Sequence, residues 1–346
     1  MSFFLSWLGL RPKAQITQPP AYLCTQSQES ITIIEKEDVT AWQKMDAQKE
    51  AAIGIANTVV ATHTELCKLT SYAPGETINR LLGNLVSVCS QIHETDVVQE
   101  VLDNADLQAM LPSLRIICAL AESELESHWN AQILAGSNEP EHVFSRLKSF
   151  PYYENYEDLT RMELFAILSA TKTAPQKFAF LGSGPLPLTS LCLLDLLNSS
   201  SRDSVKYMAN MPENAKPTVL NIDIDASALD SSRNLSAALG PRGEGMEFKC
   251  VAAGSEDQSL VEYDVVYVAA LVGQSQEQKE EILLKVASRM RKGALVVIRS
   301  AWGLRTCLYA QVDITTERIL GVLEPCVVMD PYTGVVNSVI VAKVRA

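Results

Sequence analysis

The sequence has no closely spaced pair of cysteines. Its eight, Cys24, Cys67, Cys89, Cys118, Cys192, Cys250, Cys307 and Cys326, all stand more than four residues apart, so the spacings that clamp structural zinc are missing. Most lie in apolar runs and read as reduced core residues of a cytosolic chain. No run approaches the ~20 apolar residues of a membrane span. The opening MSFFLSWLGLRPK carries no basic residue before its short apolar run, so no signal peptide is expected and the cytoplasm is the expected compartment. Positive charge is in deficit: 29 Lys and Arg against 41 Asp and Glu give a formal net charge of -12. That balance argues against nucleic acid and anionic membrane surfaces as partners. His63, His93, His128 and His142 show no metal-ligand spacing, so no metal site is expected. Neither a Walker loop nor a G-x-S-x-G elbow occurs.

What is present is ordinary globular composition, 47% hydrophobic and 20% charged over 346 residues, long enough for two cores. Residues 12–30 are rich in Pro, Gln and Ser, and residues 1–40 are expected to form a mobile arm. Helical periodicity then predicts helices over 41–69, 76–92, 96–110, 114–134, 140–150 and 157–169, with Pro74-Gly75 and Gly136-Ser137-Asn138 as breaks. This half, residues 41–172, is expected to be an all-helical bundle domain.

The texture changes at Pro175. Short apolar runs at 177–181, 218–224, 246–251, 263–269 and 294–299 alternate with helical segments at 188–197, 226–239 and 277–290. Two further strands, 324–329 and 335–343, follow without a helix between them. The alternation predicts an α/β fold for residues 173–346, a Rossmann-like, mainly parallel sheet with an antiparallel edge hairpin. Residues 199–217 read as a polar surface loop.

Three features point to a nucleotide-type site. Gly182-Ser183-Gly184 follows the first strand and opens a helix, either as a ligand-approaching turn or as a plain one. Pro185-Leu186-Pro187 stands where a dinucleotide fold would place its third glycine, which turns the reading away from a pyrophosphate cradle. Asp223 and Asp225 end the second strand, where a carboxylate either accepts ribose hydroxyls or simply meets water. Together they fit an S-adenosylmethionine pocket.

Residues 180–190 read Phe-Leu-Gly-Ser-Gly-Pro-Leu-Pro-Leu-Thr-Ser. That run closely resembles the glycine-loop signature of nicotianamine synthases. Four other stretches resemble the family in the same order: Phe150–Tyr156, Tyr263–Gly273, Val297–Ser300 with Gly303 and Tyr309, and Val335–Ile340. The segment Ser123–His128 is similar to the family's acidic helix. The resemblance spans roughly residues 110–346 and implies a transfer of aminocarboxypropyl rather than methyl groups. Three S-adenosylmethionine molecules, acting as substrate with no separate cofactor, would be joined and an azetidine ring closed. An amine must lose a proton before it attacks, so a general base is needed. Matching the acidic helix nominates Glu126, four residues after Glu122 on one face, with Tyr156 to orient or relay the proton.

Tyr153, in the same aromatic run, is assigned to pocket lining or packing. Substrate carboxylates need cations, and Arg299 at the fifth strand and Arg305 in the loop after it are the candidates. Asn337 is a further polar contact. Ala252, after the third strand, Ala269, at the end of the fourth, and Ala270, after it, complete the expected S-adenosylmethionine-binding set with Gly182, Ser183, Gly184, Pro185, Leu186, Asp223 and Asp225. The alternatives are a methyltransferase, a synthase of a related aminocarboxypropyl oligomer, and a non-catalytic S-adenosylmethionine-binding protein.

Overall fold

The computed structural model describes residues 30–198 and 216–345, with residues 30–42 described by backbone only. The expected arm up to residue 29, and the expected polar loop from 199 to 215, lie outside the described residues. Six helices come first: α1 (Ser30–Leu66), α2 (Glu76–Ser90), α3 (Thr95–Leu102), α4 (Ala105–Leu134), α5 (Pro140–Lys148) and α6 (Tyr153–Ala170). Helix α1 therefore begins eleven residues ahead of the expected start.

Helix α4 differs from the expected pair of helices split near residue 112. Its start is set by Asn104, whose side chain accepts from the Leu107 N–H at 3.0 Å, satisfying one of the orphan donors of the first turn. It then runs straight through Pro112. Pro112 and Gln108 are both exposed, so water can satisfy the carbonyl that proline leaves without a donor. The break falls instead at Asp103 and Asn104.

The seven strands are β1 (Lys177–Leu181), β2 (Thr218–Asp223), β3 (Met246–Cys250), β4 (Val265–Val268), β5 (Leu295–Ser300), β6 (Leu323–Met329) and β7 (Ser338–Val344). The intervening helices are α7 (Leu188–Asn198), α8 (Ala226–Ala238), α9 (Gln276–Ala287) and α10 (Glu317–Val322). The sheet order is β3-β2-β1-β4-β5-β7-β6. Strands β1 to β5 are parallel, while β7 runs antiparallel to both β5 and β6. The closing hairpin thus places its second strand inward, and β6 takes the edge.

Alternate strand residues go to opposite faces, as the period of two requires. Phe178, Phe180, Tyr267 and Val297 pack with α6 and α7 on one side. Ala179, Leu181, Val266, Val268, Val296 and Ile298 pack with Leu283 and Val286 of α9 on the other. Sheets covered on both faces call for such continuous apolar strands. Truncating a wholly buried member such as Leu181 to Ala costs roughly 2–5 kcal/mol in comparable cores. Helices α1 to α4 share a separate core, which also takes in Leu304, Cys307 and Leu308 from the segment after β5. The chain reverses its winding between β1 and β4, and ligand crevices of such sheets open beyond the strand ends at that point.

Candidate active site

The loop after β1 turns on Gly182 (φ 80°) and Gly184 (φ 66°). Both positions are also too tight for a side chain. A β-carbon on Gly182 would lie 2.4 Å from Val272 Cγ2, and one on Gly184 would lie 2.6 Å from Glu126 Oε2. Asp223 braces this loop: its Oδ2 accepts the Gly184 N–H at 2.9 Å, and its Oδ1 accepts the Asp225 N–H at 3.0 Å. Asp225 has a different local task. Its Oδ1 accepts the Ser227 N–H at 2.8 Å, which caps α8.

Helix α4 docks on the loop through one face. Glu122, Glu126 and Asn130 recur every four residues and so line up along it. Asn130 Nδ2 donates to the Pro185 carbonyl at 2.8 Å and to the Ser231 carbonyl at 3.2 Å. Glu126 accepts from the Leu186 N–H and, through Oε1, from the Tyr156 hydroxyl at 3.1 Å. One turn earlier, Glu122 Oε2 accepts from the Tyr309 hydroxyl at 2.9 Å. Two carboxyl–phenol pairs therefore stand side by side.

Burial, followed by the Glu122 charge, pushes the Glu126 carboxyl well above the usual carboxylate range; its donors and Arg299 pull it back by less. Burial also raises Glu122, against the opposing effects of Tyr309 and Arg299. Two acids in one dry site cannot both ionise at their ordinary values.

These groups face a cavity of about 930 Å³. Glu126, Tyr156, Gly182, Gly184, Pro185 and Arg299 are on its wall. So are Asp223, Asp225, Ala252, Ala269, Ala270 and Asn337. Four expected residues are not. Ser183 is buried beside the loop. Leu186 points into the apolar cluster of α4, α5 and α8, where Tyr153 also packs, its ring edge-on to Phe144 at 6.3 Å.

Arg305, expected as a second carboxylate clamp, is instead only 1% exposed. Its Nη2 ties down the Ser90 carbonyl at 3.1 Å and the Thr333 carbonyl at 3.3 Å, and its guanidinium lies 5.0 Å over Trp302. Its Nη2 and its position are taken up by packing, and its Nε is buried without a partner among the described residues. Arg299 is on the wall but already neutralised. Its Nε and Nη2 donate to Glu163 at 2.7 and 3.2 Å, and Nη2 also donates to Thr189 Oγ1 at 2.6 Å.

Three features escaped the sequence reading. Tyr309 pairs with Glu122 across 187 positions, a relation no local pattern encodes. Lys279 is fully buried, and its Nζ donates to the carbonyls of Ala269 and Ala270 at 2.8 and 3.0 Å; burial lowers it to about 7. Arg80, Asn84 and Ser87 of α2 also line the cavity. Their spacing of four and then three residues was a legible signal, a polar stripe opposite the buried Ile78, Leu81 and Leu85. Among the described residues no group of three or more His, Cys, Asp or Glu could hold a metal ion. None of the described helices is long and apolar enough to cross a membrane.

Known proteins resemble this chain in sequence and in fold. Nicotianamine synthase 1 of Arabidopsis thaliana is 31% identical over 293 residues, covering 84% of this chain and 83% of that protein. Nicotianamine synthase 2 of Oryza sativa subsp. japonica is 32% identical over 304 residues, covering 86% and 85%. Among solved structures, MtNAS in complex with MTA and tNA superposes with a TM-score of 0.65 at 20% identity, over 85% of this chain and 97% of that one. A glutamate-to-glutamine variant of MtNAS gives 0.64 at 19% identity, over 85% and 98%. Those two likenesses carry the fold. The family model described as "Nicotianamine synthase protein" matches residues 47–346, a span that takes in the glycine loop, both carboxyl–phenol pairs and the whole sheet, and with it the chain belongs to the nicotianamine synthase family.

Proposed function

We propose that the protein is a nicotianamine synthase that transfers 3-amino-3-carboxypropyl groups among three S-adenosylmethionine molecules and closes an azetidine ring. In each step an amine nitrogen attacks the γ-carbon of a donor. The C–S bond breaks, its electron pair stays on sulfur, and neutral methylthioadenosine leaves. The proton that the attacking ammonium must shed goes to a base. Three such steps, the last within one chain, consume three sulfonium donors.

The observation that carries this reading is the Glu126–Tyr156 pair set against Gly184 on the cavity wall. Glu126 is assigned as the general base. Its raised carboxyl brings it nearer to an ammonium in proton affinity, which is what proton transfer near neutral pH requires. Tyr156 is assigned to orienting it. Asp223 is the ribose partner, since its carboxylate retains acceptor capacity beyond its two amide donors, with Gly182, Ala252, Ala269 and Ala270 around the adenosine. Ile224, 75% exposed on the wall, offers an apolar face to the base. Asn337 is assigned to polar ligand atoms, and Arg299, with Nη1 unused among the described residues, to a substrate carboxylate.

The reading divides the chain into an arm, expected over 1–40 but overlapped from Ser30 by α1, a helical cap at 41–172 and a Rossmann-like domain at 173–346. The separate core of α1 to α4 supports a helical unit, although α6 packs in the sheet core and Leu304, Cys307 and Leu308 in the helical one. It places the protein in the cytoplasm, consistent with the free thiols of Cys89, Cys192 and Cys307.

The test is mass spectrometry of the purified protein incubated with S-adenosylmethionine alone. Methylthioadenosine and a product of three fused units are expected. S-adenosylhomocysteine with a methylated acceptor would instead establish a methyltransferase.

A further inference from the structure

The synthase reading creates a charge problem inside the cavity. Every unit joined keeps its carboxylate, so the three-unit chain carries three of them. The wall already holds Glu122, Glu126, Asp223 and Asp225. The only cations on it, among the described residues, are Arg299 and Arg80. Arg299 is already paired with Glu163 through Nε and Nη2, which leaves Nη1 for one carboxylate at most. Three carboxylates confined in such a chamber call for a positive partner beyond that one guanidinium edge.

Arg80 is free to supply it. No hydrogen bond or ion pair engages its guanidinium among the described residues. It is exposed as well as lining the cavity, so it stands where the chamber meets solvent. Asn84 and Ser87 follow it along the same face of α2, and neither side chain has a hydrogen-bond partner among the described residues. At 1.5 Å rise per residue the stripe runs about 10 Å, long enough for more than one three-carbon unit. Two more polar atoms on the wall are buried without a partner: Ser90 Oγ, at the end of the same helix, and Asn337 Nδ2. Buried polar groups facing a cavity are normally completed by ligand or water.

We propose that the cavity-facing stripe of α2, Arg80 with Asn84 and Ser87, is the subsite that holds the carboxylate of the growing aminocarboxypropyl chain between transfers. The ligand class is an α-amino-acid chain of two or three carboxylates. The inference rests on the synthase reading and adds a retention site to it, distinct from the adenosine wall.

The experiment compares the full-length wild type with R80Q and R80K, each incubated with S-adenosylmethionine. Mass spectrometry counts three-unit product and shorter condensates per methylthioadenosine released, and calorimetry gives the affinity for methylthioadenosine. R80Q should bind methylthioadenosine as wild type does, yet yield roughly tenfold less three-unit product per methylthioadenosine and leak shorter chains, as expected for a lost charge-assisted hydrogen bond. R80K, which keeps the charge, should recover much of the yield. An R80Q protein with wild-type yield, or one whose methylthioadenosine affinity falls in step with yield, would overturn the assignment and leave the synthase reading intact. A wild type that releases no methylthioadenosine would remove that reading and this one together.

Discussion

Gly184 and Glu126 claim the same space. A β-carbon on the glycine would sit 2.6 Å from Oε2 of the acid, so the loop after β1 also sets how closely the carboxyl can approach. Gly184→Ala should therefore displace Glu126 and lower turnover roughly a hundredfold, the scale of an ångström-level misplacement. It should also cost about 1–2 kcal/mol for its left-handed backbone. Gly293→Ala is the control: its φ is 82° but nothing lies within 4 Å of the added carbon. It should show the stability cost in thermal melts with turnover unchanged.

Glu126→Gln separates chemistry from folding. Turnover should fall by roughly 10²–10⁴, while methylthioadenosine affinity stays near wild type. The stability change has a definite sign. Burial raises the acid in the folded chain, so above its ordinary value the folded protein binds a proton that the unfolded chain has released. That stabilisation is lost as pH rises through the folded value. The glutamine variant, uncharged throughout, should melt above wild type at alkaline pH, with the gap closing toward acid. Surviving turnover would reassign the base.

The two phenols should act in opposite directions on the acid limb of the turnover–pH profile. The Tyr156 hydroxyl lowers Glu126, so Tyr156→Phe should move the limb to higher pH. Tyr309 lowers Glu122, and the Glu122 charge raises Glu126. Tyr309→Phe leaves Glu122 less charged and should move the limb to lower pH. Shifts of the same sign would show that the acids do not share their charge as described.

Lys279 links the cavity wall at Ala269 and Ala270 to stability. Lys279→Met leaves the carbonyls of Ala269 and Ala270 without their donor and should weaken methylthioadenosine binding roughly tenfold. Burial lowers the wild-type lysine from 10.5 to about 7. Between those values the unfolded chain holds a proton that the folded chain lacks, so wild-type stability rises with pH across this window. Melting curves of the methionine variant should lack that rise.

The strand pattern was legible because it is local. The run Lys177–Leu181 and the alternation after it need only periodicity and Gly or Pro stops. Helix α4 was less so: Pro112 reads as an interruption, and only its exposure makes it harmless. The inward position of β7 depends on pairing with both β5 and β6, a non-local choice. Arg305 shows the same limit for the site. Its place just after a strand end says nothing of whether its side chain turns to the cavity or to the carbonyls of Ser90 and Thr333. Glu126 and Tyr156 are 30 positions apart and were nominated together through resemblance, since a lone acid on a helix has no local mark of burial.

Helix α4 begins in the core it shares with α1 to α3 and ends against the glycine loop, with Glu122, Glu126 and Asn130 on its inner face. The acids are thus mounted on the helix that packs against the glycine loop, and Asn130 is the latch. Any movement that lifts this helix to release a finished chain breaks the Asn130–Pro185 bond and carries both carboxyls away with it. One amide bond thus ties the loop at the strand ends to the helix that carries both acids.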